Sequence, residues 1–415
     1  MIILVMFALL WATPALGAGF ALVQQGTAAM AQGNAFVATA DDASAIYYNP
    51  AGLNQLKRAQ AYLGTFLNHP DRDFEGGGQV AETNHRWYRS LTSYIAIPAT
   101  DRLAVGIGFF SPFGLGTAWP PEWAGRYLTT FSSLKTYDLN PVISVKPLEN
   151  LSVAAGFNVL WSSVELKRKV PVPLNLGGQP ARDGEVRLTG DGHGFGYNLG
   201  LLYEPVPGVK LGAAYRSQIA VTHRGNLERS LPAPLPAPQR DPGEAAVTFP
   251  PSVTFGVAYS RWQPFSLEFD TTWTGWSSYD SLKVNLTNPI FLNGGLTNTI
   301  VTPKEWQDAW AFRFGANYEV REGMKVRVGY IYDLTPVPDS TFDPQVPDAN
   351  RHIFTAGGDL KIGRFTLGIA YNYILSEDRD KNNQIVFNGV PVPLQANGRY
   401  RSDVHAVGLS CAFNF

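Results

Sequence analysis

The sequence predicts an all-β protein: a fourteen-stranded antiparallel transmembrane β-barrel with an N-terminal plug, or hatch, inside its lumen. Three observations predict it. Apolar residues alternate with small or polar ones at period two along nearly the whole chain, short turns alternate strictly with long loops, and an aperiodic but apolar-rich stretch precedes the first strand.

Taken in chain order, residues 1–17 differ in kind from the rest. Met1 to Leu10 form an apolar core, and Ala15 and Gly17 supply the small residues that a signal peptidase reads, so a secretory signal peptide with cleavage after Gly17 is expected. The usual Lys or Arg ahead of the apolar core is missing. Export followed by barrel strands implies a Gram-negative outer membrane.

Residues 18–56 are rich in Ala, Gly, Asn and Gln, yet they carry Phe20, Leu22, Phe36, Ile46, Tyr47, Tyr48 and Leu53, too many large apolar groups to leave in water. Asp42 is placed to cap a short helix running to Tyr48, which Pro50 would terminate. A folded hatch within the lumen is therefore expected over 18–56, with the barrel over 57–415.

The strands follow. Leu103, Val105, Ile107 and Phe109 alternate with Ala104, Gly106 and Gly108; Leu151, Val153, Ala155, Phe157, Val159 and Trp161 alternate with Ser152, Ala154, Gly156 and Asn158. The same holds for 312–320, 326–332 and 367–373. At the end, Val407, Leu409, Cys411, Phe413 and Phe415 share one face, against Gly408, Ser410, Ala412 and Asn414. A soluble sandwich would expose long charged side chains on its second face. Here that face is mostly Gly, Ala, Ser and Asn, as a crowded lumen needs, while the greasy face suits lipid.

Short turns fall at 98–102, 147–150, 205–208, 261–264, 321–323 and near Gly363. Long Pro/Gly/Asn-rich segments fall at about 68–86, 111–133, 167–188, 224–246, 286–305, 335–350 and 377–398. In outer-membrane barrels short turns face the periplasm and long loops face outward. Fourteen strands would leave an open channel unless something fills it.

Composition narrows the function. With 33 basic and 34 acidic residues there is no electrostatic case for nucleic acid. Charged residues make up 16% of the chain, against roughly 25% in soluble domains. The six histidines show no metal-ligand spacing, and no phosphate-binding loop or Gly-x-Ser-x-Gly elbow occurs. No catalytic residue, metal or cofactor is assigned.

Gly19-Phe20, Gly33-Asn34-Ala35, Ala40-Asp41-Asp42-Ala43-Ser44 and Tyr48-Asn49-Pro50-Ala51-Gly52-Leu53 resemble the FadL family of outer-membrane transporters for long-chain fatty acids and hydrocarbons. So do Ser111 to Gly116 with Trp123 to Tyr127, Thr272 to Ser277, Gly329 to Asp333 with Thr335 to Asp339, and Pro347-Asp348 before Arg351. The resemblance spans the mature chain. It implies capture of a hydrophobic ligand by the outer loops, transfer to a site in the barrel, and sideways release where the third strand kinks. It assigns Asn49, Pro50 and Ala51 to the hatch motif, and Ala18, Gly19 and Phe20 to the hatch terminus that moves.

Further candidates come from the residues themselves. Gly106 and Gly108, followed by Pro112, mark either the strand kink or lumen glycines that make room for the plug. Phe110, Phe113, Leu115, Trp119 and Trp123 are expected to form an apolar capture groove; the alternative is an interfacial girdle, where Trp273, Trp276, Trp306 and Trp310 are placed. A carboxylate ligand needs a cation near the top, and Arg168 and Lys304 are the candidates. Inward-pointing Arg313, Glu319, Arg327, Asp333, Glu268 and Asp270 read as ion pairs tying hatch to wall.

The expected function is passive uptake of hydrophobic small molecules, foremost long-chain fatty acids, with aromatic or alkane hydrocarbons as the alternative. A lipid hydrolase, which needs a Ser–His pair, and a general porin are the competing classes. Outer-membrane lipid and lipopolysaccharide are the expected surroundings, and a monomer the expected state.

Overall fold

The computed structural model describes residues 19–171, 183–232, 239–292 and 295–415. The predicted signal peptide and Ala18 lie outside them.

Fourteen antiparallel wall strands close into a barrel. They are β1 (Gln60–Gly76), β2 (Tyr88–Thr100), β3 (Leu103–Phe110, continued by Gly114–Ala118), β4 (Phe131–Leu148), β5 (Leu151–Pro171), β6 (Asp183–Val206) and β7 (Val209–Arg216, continued by Ile219–Ser230). After them come β8 (Gln239–Phe249 and Ser252–Tyr259), β9 (Phe265–Thr274 and Ser281–Leu292), β10 (Gly295–Pro303 and Ala309–Arg321), β11 (Met324–Asp333), β12 (Arg351–Ile362), β13 (Phe365–Ser376) and β14 (Gly398–Asn414). The last strand pairs with the first from Gln60↔Asn414 to Glu75↔Arg399, so no sheet edge is left. Closure matters because lipid offers no partner to an unpaired backbone N–H or C=O.

The alternation read from the sequence sets the two faces. On β13, Leu367, Ile369 and Tyr371 point outward at 46%, 57% and 42% exposure, while Ala370 and Asn372 are fully covered on the inside. The tight turns at Gly208, Gly323 and Gly363 take positive φ, where glycine costs nothing.

Residues 19–56 touch the inner faces of strands on every side. Helix α1 (Thr27–Ala31) lies against β11 to β14, with Thr27 Oγ1 2.5 Å from Ser410 Oγ and Thr355 Oγ1 donating to the Ala31 carbonyl at 2.8 Å. Asp270 Oδ2 accepts from the N–H groups of Phe36 and Val37 at 2.8 and 3.0 Å, and Glu268 Oε1 accepts from Ala38 N–H at 2.7 Å. These two carboxylates thus hold backbone of the interior segment, while Arg327 pairs with Asp359 and Arg351 with Asp333 along the wall. Glycines on the inner face let the segment approach: a Cβ at Gly212 would stand 2.2 Å from the Val37 carbonyl oxygen, and one at Gly329 2.3 Å from Gly33 N.

The short helix differs in detail from the expectation. Asp42 Oδ1 accepts from both the N–H and the Oγ of Ser44, just ahead of α2 (Ala45–Tyr48). Pro50 does not simply end it; Pro50 opens a 3₁₀ turn, Pro50–Gln55, because a missing N–H is harmless at a first helical position.

The third strand is broken, but not at Gly106 and Gly108. Those two pair regularly with Ala96 and Tyr94 on one side and with Val142 and Asn140 on the other. Their missing side chains instead admit Ile46, whose methyl groups would meet a Cβ at 2.8–2.9 Å. The break lies at Ser111–Phe113, three residues opposing only Thr136 and Tyr137 of β4 between the pairs Phe110↔Asp138 and Gly114↔Lys135. Proline cannot donate to a ladder and forces the departure. Pairing of β2 with β3 stops at Ser93↔Phe109, so Tyr88–Thr92 and Gly114–Ala118 are not paired with each other.

Because Gly212 faces backbone rather than a flexible side chain, Gly212→Val is expected to leave the barrel folded and unseat the segment around Val37. Planar-bilayer recordings would then show larger conductance than the parent protein; an unchanged conductance would contradict this packing.

Candidate functional site

The break in β3 is where the interior segment meets the wall. Leu22 N–H donates to the Pro112 carbonyl at 2.8 Å, Gly114 N–H donates to the Phe20 carbonyl at 2.8 Å, and Ala21 and Phe113 form an isolated antiparallel bridge. Gln25 Nε2 donates to the Ser111 carbonyl at 2.7 Å. Thr136 replaces the lost ladder on the other side: its Oγ1 accepts from Phe113 N–H at 3.0 Å and donates to the Phe113 carbonyl at 2.6 Å. Groups that a continuous strand would pair are thus paired by the N-terminus and one threonine.

Phe20 seats this stitch. Its ring lies 4.7 Å from Trp276, 5.4 Å from Trp306, 5.6 Å from Tyr279, 6.0 Å from Phe249 and 6.1 Å from Phe113, mostly edge to face. Gly19 is required before it, since φ is +59° and a Cβ would stand 2.7–2.9 Å from Trp306 and Trp276. Gly19 N–H donates to Asp348 Oδ2 at 3.1 Å, and Thr335 Oγ1 donates to the same oxygen at 2.6 Å. Burial pushes the Asp348 carboxyl above its usual range, with Arg351 opposing.

The expected capture residues divide. Leu115, Trp119 and Trp123 belong with Phe20 to one buried cluster that roofs the lumen, and Phe113 packs at its margin. Trp119 and Trp123 stack at 4.3 Å, and Trp119 Nε1 donates to the Pro344 carbonyl at 3.1 Å. They are covered by other loops rather than exposed in a groove. Phe110 lies apart, in a lower cluster against Tyr47 at 5.3 Å. Trp276 and Trp306, assigned to the girdle, instead form the Phe20 pocket at 1% and 4% exposure; Trp310, at 43%, does face outward. Period-two parity assigns faces within strands, and Trp276 and Trp306 lie between strands.

The two candidate cations converge on one acid. Lys304 is buried and bridges Asp343 Oδ2 at 2.9 Å. Burial works against its charge, but Asp343 and Tyr279 outweigh it and hold the ammonium above its ordinary range. Arg168 lies with its guanidinium 4.2 Å over the Phe387 ring and feels the same Asp343. Lys381, which the sequence did not single out, is also buried near Asp343; its Nζ donates to the Gln395 carbonyl and Asn397 Oδ1 at 2.7 and 2.8 Å. Burial pushes it down to about 8.

Asn49 is fully buried and bonds in three directions. Its Nδ2 donates to the Val37 carbonyl at 2.7 Å and to the Leu201 carbonyl of β6 at 2.9 Å, while Oδ1 accepts from Ala51 N–H at 3.2 Å. Pro50 and Ala51 follow in the 3₁₀ turn, close enough to the wall that β6 needs Gly200 there.

Between the Phe20 roof and α2 lies a cavity of ≈ 120 Å³, bordered by Phe113, Tyr47, Asp138, Arg216, Ile219 and Arg313 among others. A Ser–His pair also exists: Ser162 Oγ and His223 Nε2 are 2.7 Å apart and both buried, with His223 directly opposite Ala245 on β8.

The chain matches the family model for outer membrane protein transport protein (OMPP1/FadL/TodX) over residues 8–415. It is 24% identical to the long-chain fatty acid transport protein of Salmonella typhi, over 77% of this chain and 78% of that one. Its fold matches the crystal structure of a Pseudomonas aeruginosa FadL homologue with TM-score 0.81 at 21% identity, covering 96% of this chain and 100% of the other. The Pseudomonas putida toluene transporter TodX matches with TM-score 0.73 at 19% identity, over 96% and 100%.

Phe20→Ala is expected to release the stitch. A buried Phe→Ala change costs about 3–5 kcal/mol, so amide exchange at Leu22 and Gly114 is expected to quicken roughly a hundredfold or more. Exchange in α1 should stay as it was. Unaltered protection at Leu22 would mean that Phe20 does not hold the terminus.

Proposed function

The chain belongs to the outer membrane protein transport protein family (OMPP1/FadL/TodX), and we propose that it takes up long-chain fatty acids passively by opening the Phe20–Leu22 stitch. It is a β-barrel of the Gram-negative outer membrane, in a family that transports hydrophobic compounds. The observation that carries the proposal is the pairing of Phe20 and Leu22 with Gly114 and Pro112 at the one place where β2 and β3 part.

A ligand reaching the roof competes with Phe20 for its aromatic pocket. Once Phe20 leaves, the cavity beneath is open to the roof and the gap beside Ser111–Phe113 loses its cover. A hydrocarbon chain gains about 0.8 kcal/mol per CH₂ on leaving water, so release into the bilayer needs no energy source. Asn49 keeps the remainder of residues 19–56 in register with β6 while the first few residues move.

Fatty acid is the preferred substrate because Arg168 and Lys381 lie near a carboxylate already paired with Lys304, leaving cationic capacity for a head group. The five aromatic rings around Phe20 favour the second reading, an aromatic or alkane hydrocarbon, and the likeness to a toluene transporter's fold accords with it.

The test is uptake in a Gram-negative host lacking its own fatty-acid transporter, using labelled oleate and labelled toluene, with Asn49→Ala beside the parent. Leaving the Val37 carbonyl without its Asn49 partner costs about 1–3 kcal/mol, so oleate uptake is expected to fall at least severalfold in the variant. Toluene uptake alone would select the hydrocarbon reading. Uptake of neither by the parent would contradict the proposal.

A further inference from the structure

The wall has a second interruption, between β6 and β7. Strand β6 pairs with the lower part of β7 from Val206↔Val209 up to Asn198↔Arg216, and with its upper part only from Asp191↔Arg224 onward. Between these, residues 192–197 face 217–223 without ladder pairing among the described residues, one residue more on β7 than on β6. Ser217 spans the lower end, its N–H donating to the Tyr197 carbonyl and its Oγ accepting from Tyr197 N–H, both at 2.9 Å.

The two backbones are close but displaced. A Cβ on Gly192 would stand 2.3 Å from the Thr222 carbonyl oxygen, and one on Gly194 2.4 Å from that of Ala220. Inward-pointing Cβ positions on β6 therefore meet β7 backbone, a closeness shared by the laddered Gly357 and Gly358; what sets this stretch apart is its missing ladder. Glycine at 192, 194 and 196 is what permits the closeness.

This interruption lies at the height of the first. Thr136–Tyr137 oppose the break in β3, Tyr137 pairs with Trp161, and Trp161 pairs with His193. The panel β4–β5–β6 is thus bounded at one level by two unpaired seams. Behind it runs the ≈ 120 Å³ cavity, bordered by Pro112 and Phe113 at the first seam, Asp138 and Asn158 on the panel, and Ser217 and Ile219 at the second. Among the described residues, the buried polar atoms without a hydrogen-bond partner include Asp138 Oδ1, Asn34 Nδ2, Asp270 Oδ1 and Arg313 Nε around the cavity and Asn198 Nδ2 at the foot of the second seam. Outside the seam, Phe195 and Tyr197 are 59% and 50% exposed, forming an apolar apron.

We infer that the β6–β7 seam is a second lateral portal, through which the cavity passes an apolar or amphipathic ligand to the bilayer. The inference rests on the transport reading above. Opening it requires residues 219–223, carried together with their ladder partners 245–249 of β8, to slide off the glycines of β6; this breaks the His223–Ser162 hydrogen bond but no β6–β7 ladder. The lower and upper pairings hold the strand ends while the middle parts.

A reversible lock tests it. In a Cys411→Ser background, Phe195→Cys with Ala220→Cys puts thiols on the outward face of the unpaired stretch, where the two backbones run close together, and leaves the inward glycines 192, 194 and 196 unchanged. The reduced form of the same protein controls for folding and for the substitutions. Uptake of labelled oleate and labelled toluene is measured with the lock oxidised and reduced, and a diazirine-bearing palmitate is photolysed on the reduced protein. At least a twofold loss of uptake on oxidation, restored by reductant, with photolabel on 192–197 or 217–223, is the expected result. Equal uptake in both forms overturns the portal while leaving transport standing. No uptake in either form or in the parent overturns the transport reading and the portal with it.

Discussion

Backbone hydrogen bonding in lipid is the constraint on which the rest of this structure depends. A closed barrel meets it by pairing every strand with two neighbours, β14 with β1 included. A transporter with a sideways exit must violate it somewhere, and the violation has to be covered at rest. At Ser111–Phe113 the covering groups come from within: Leu22 N–H, the Phe20 carbonyl and Gln25 Nε2 take the place of a neighbouring strand. The cover is thus concentrated in one terminus, where the burial of a single ring and a few hydrogen bonds hold it.

The interior segment is held unevenly, and the unevenness suits that role. Its middle is anchored by Asp270 and Glu268 to four successive N–H groups and by Asn49 to β6. Its first residues rest on the Phe20 ring, two backbone bonds and the contact of Gly19 with Asp348. This end lies beside the gap in the wall, with Phe20 part of the roof cluster. The two kinds of attachment are thus sorted by position, which is what the proposed movement of the first residues would need.

Much of this was legible in the sequence, for identifiable reasons. Period-two alternation and the spacing of turns follow from strand geometry and gave fourteen strands with their faces, down to the outward Leu367, Ile369 and Tyr371. Parity stops at strand ends, which is why Trp276 and Trp306 looked like girdle residues and are instead the walls around Phe20. Glycine in a strand is ambiguous: at Gly106 and Gly108 it makes room for Ile46, and the neighbouring Pro112 was the sharper sign of a break. The heights of Arg168 and Lys304 could be read, but their shared Asp343 sits in another long loop that no periodicity reaches.

The central claim is that the N-terminal stitch at the β3 break must open for a ligand to pass. Ala21 and Phe113 face each other across it as an antiparallel bridge, so Ala21→Cys with Phe113→Cys, in a Cys411→Ser background, can pin it shut reversibly. Labelled-oleate uptake by cells carrying the oxidised protein should drop to the level of cells without it, and reductant should restore it. Uptake undiminished by a fully formed disulfide would contradict the account.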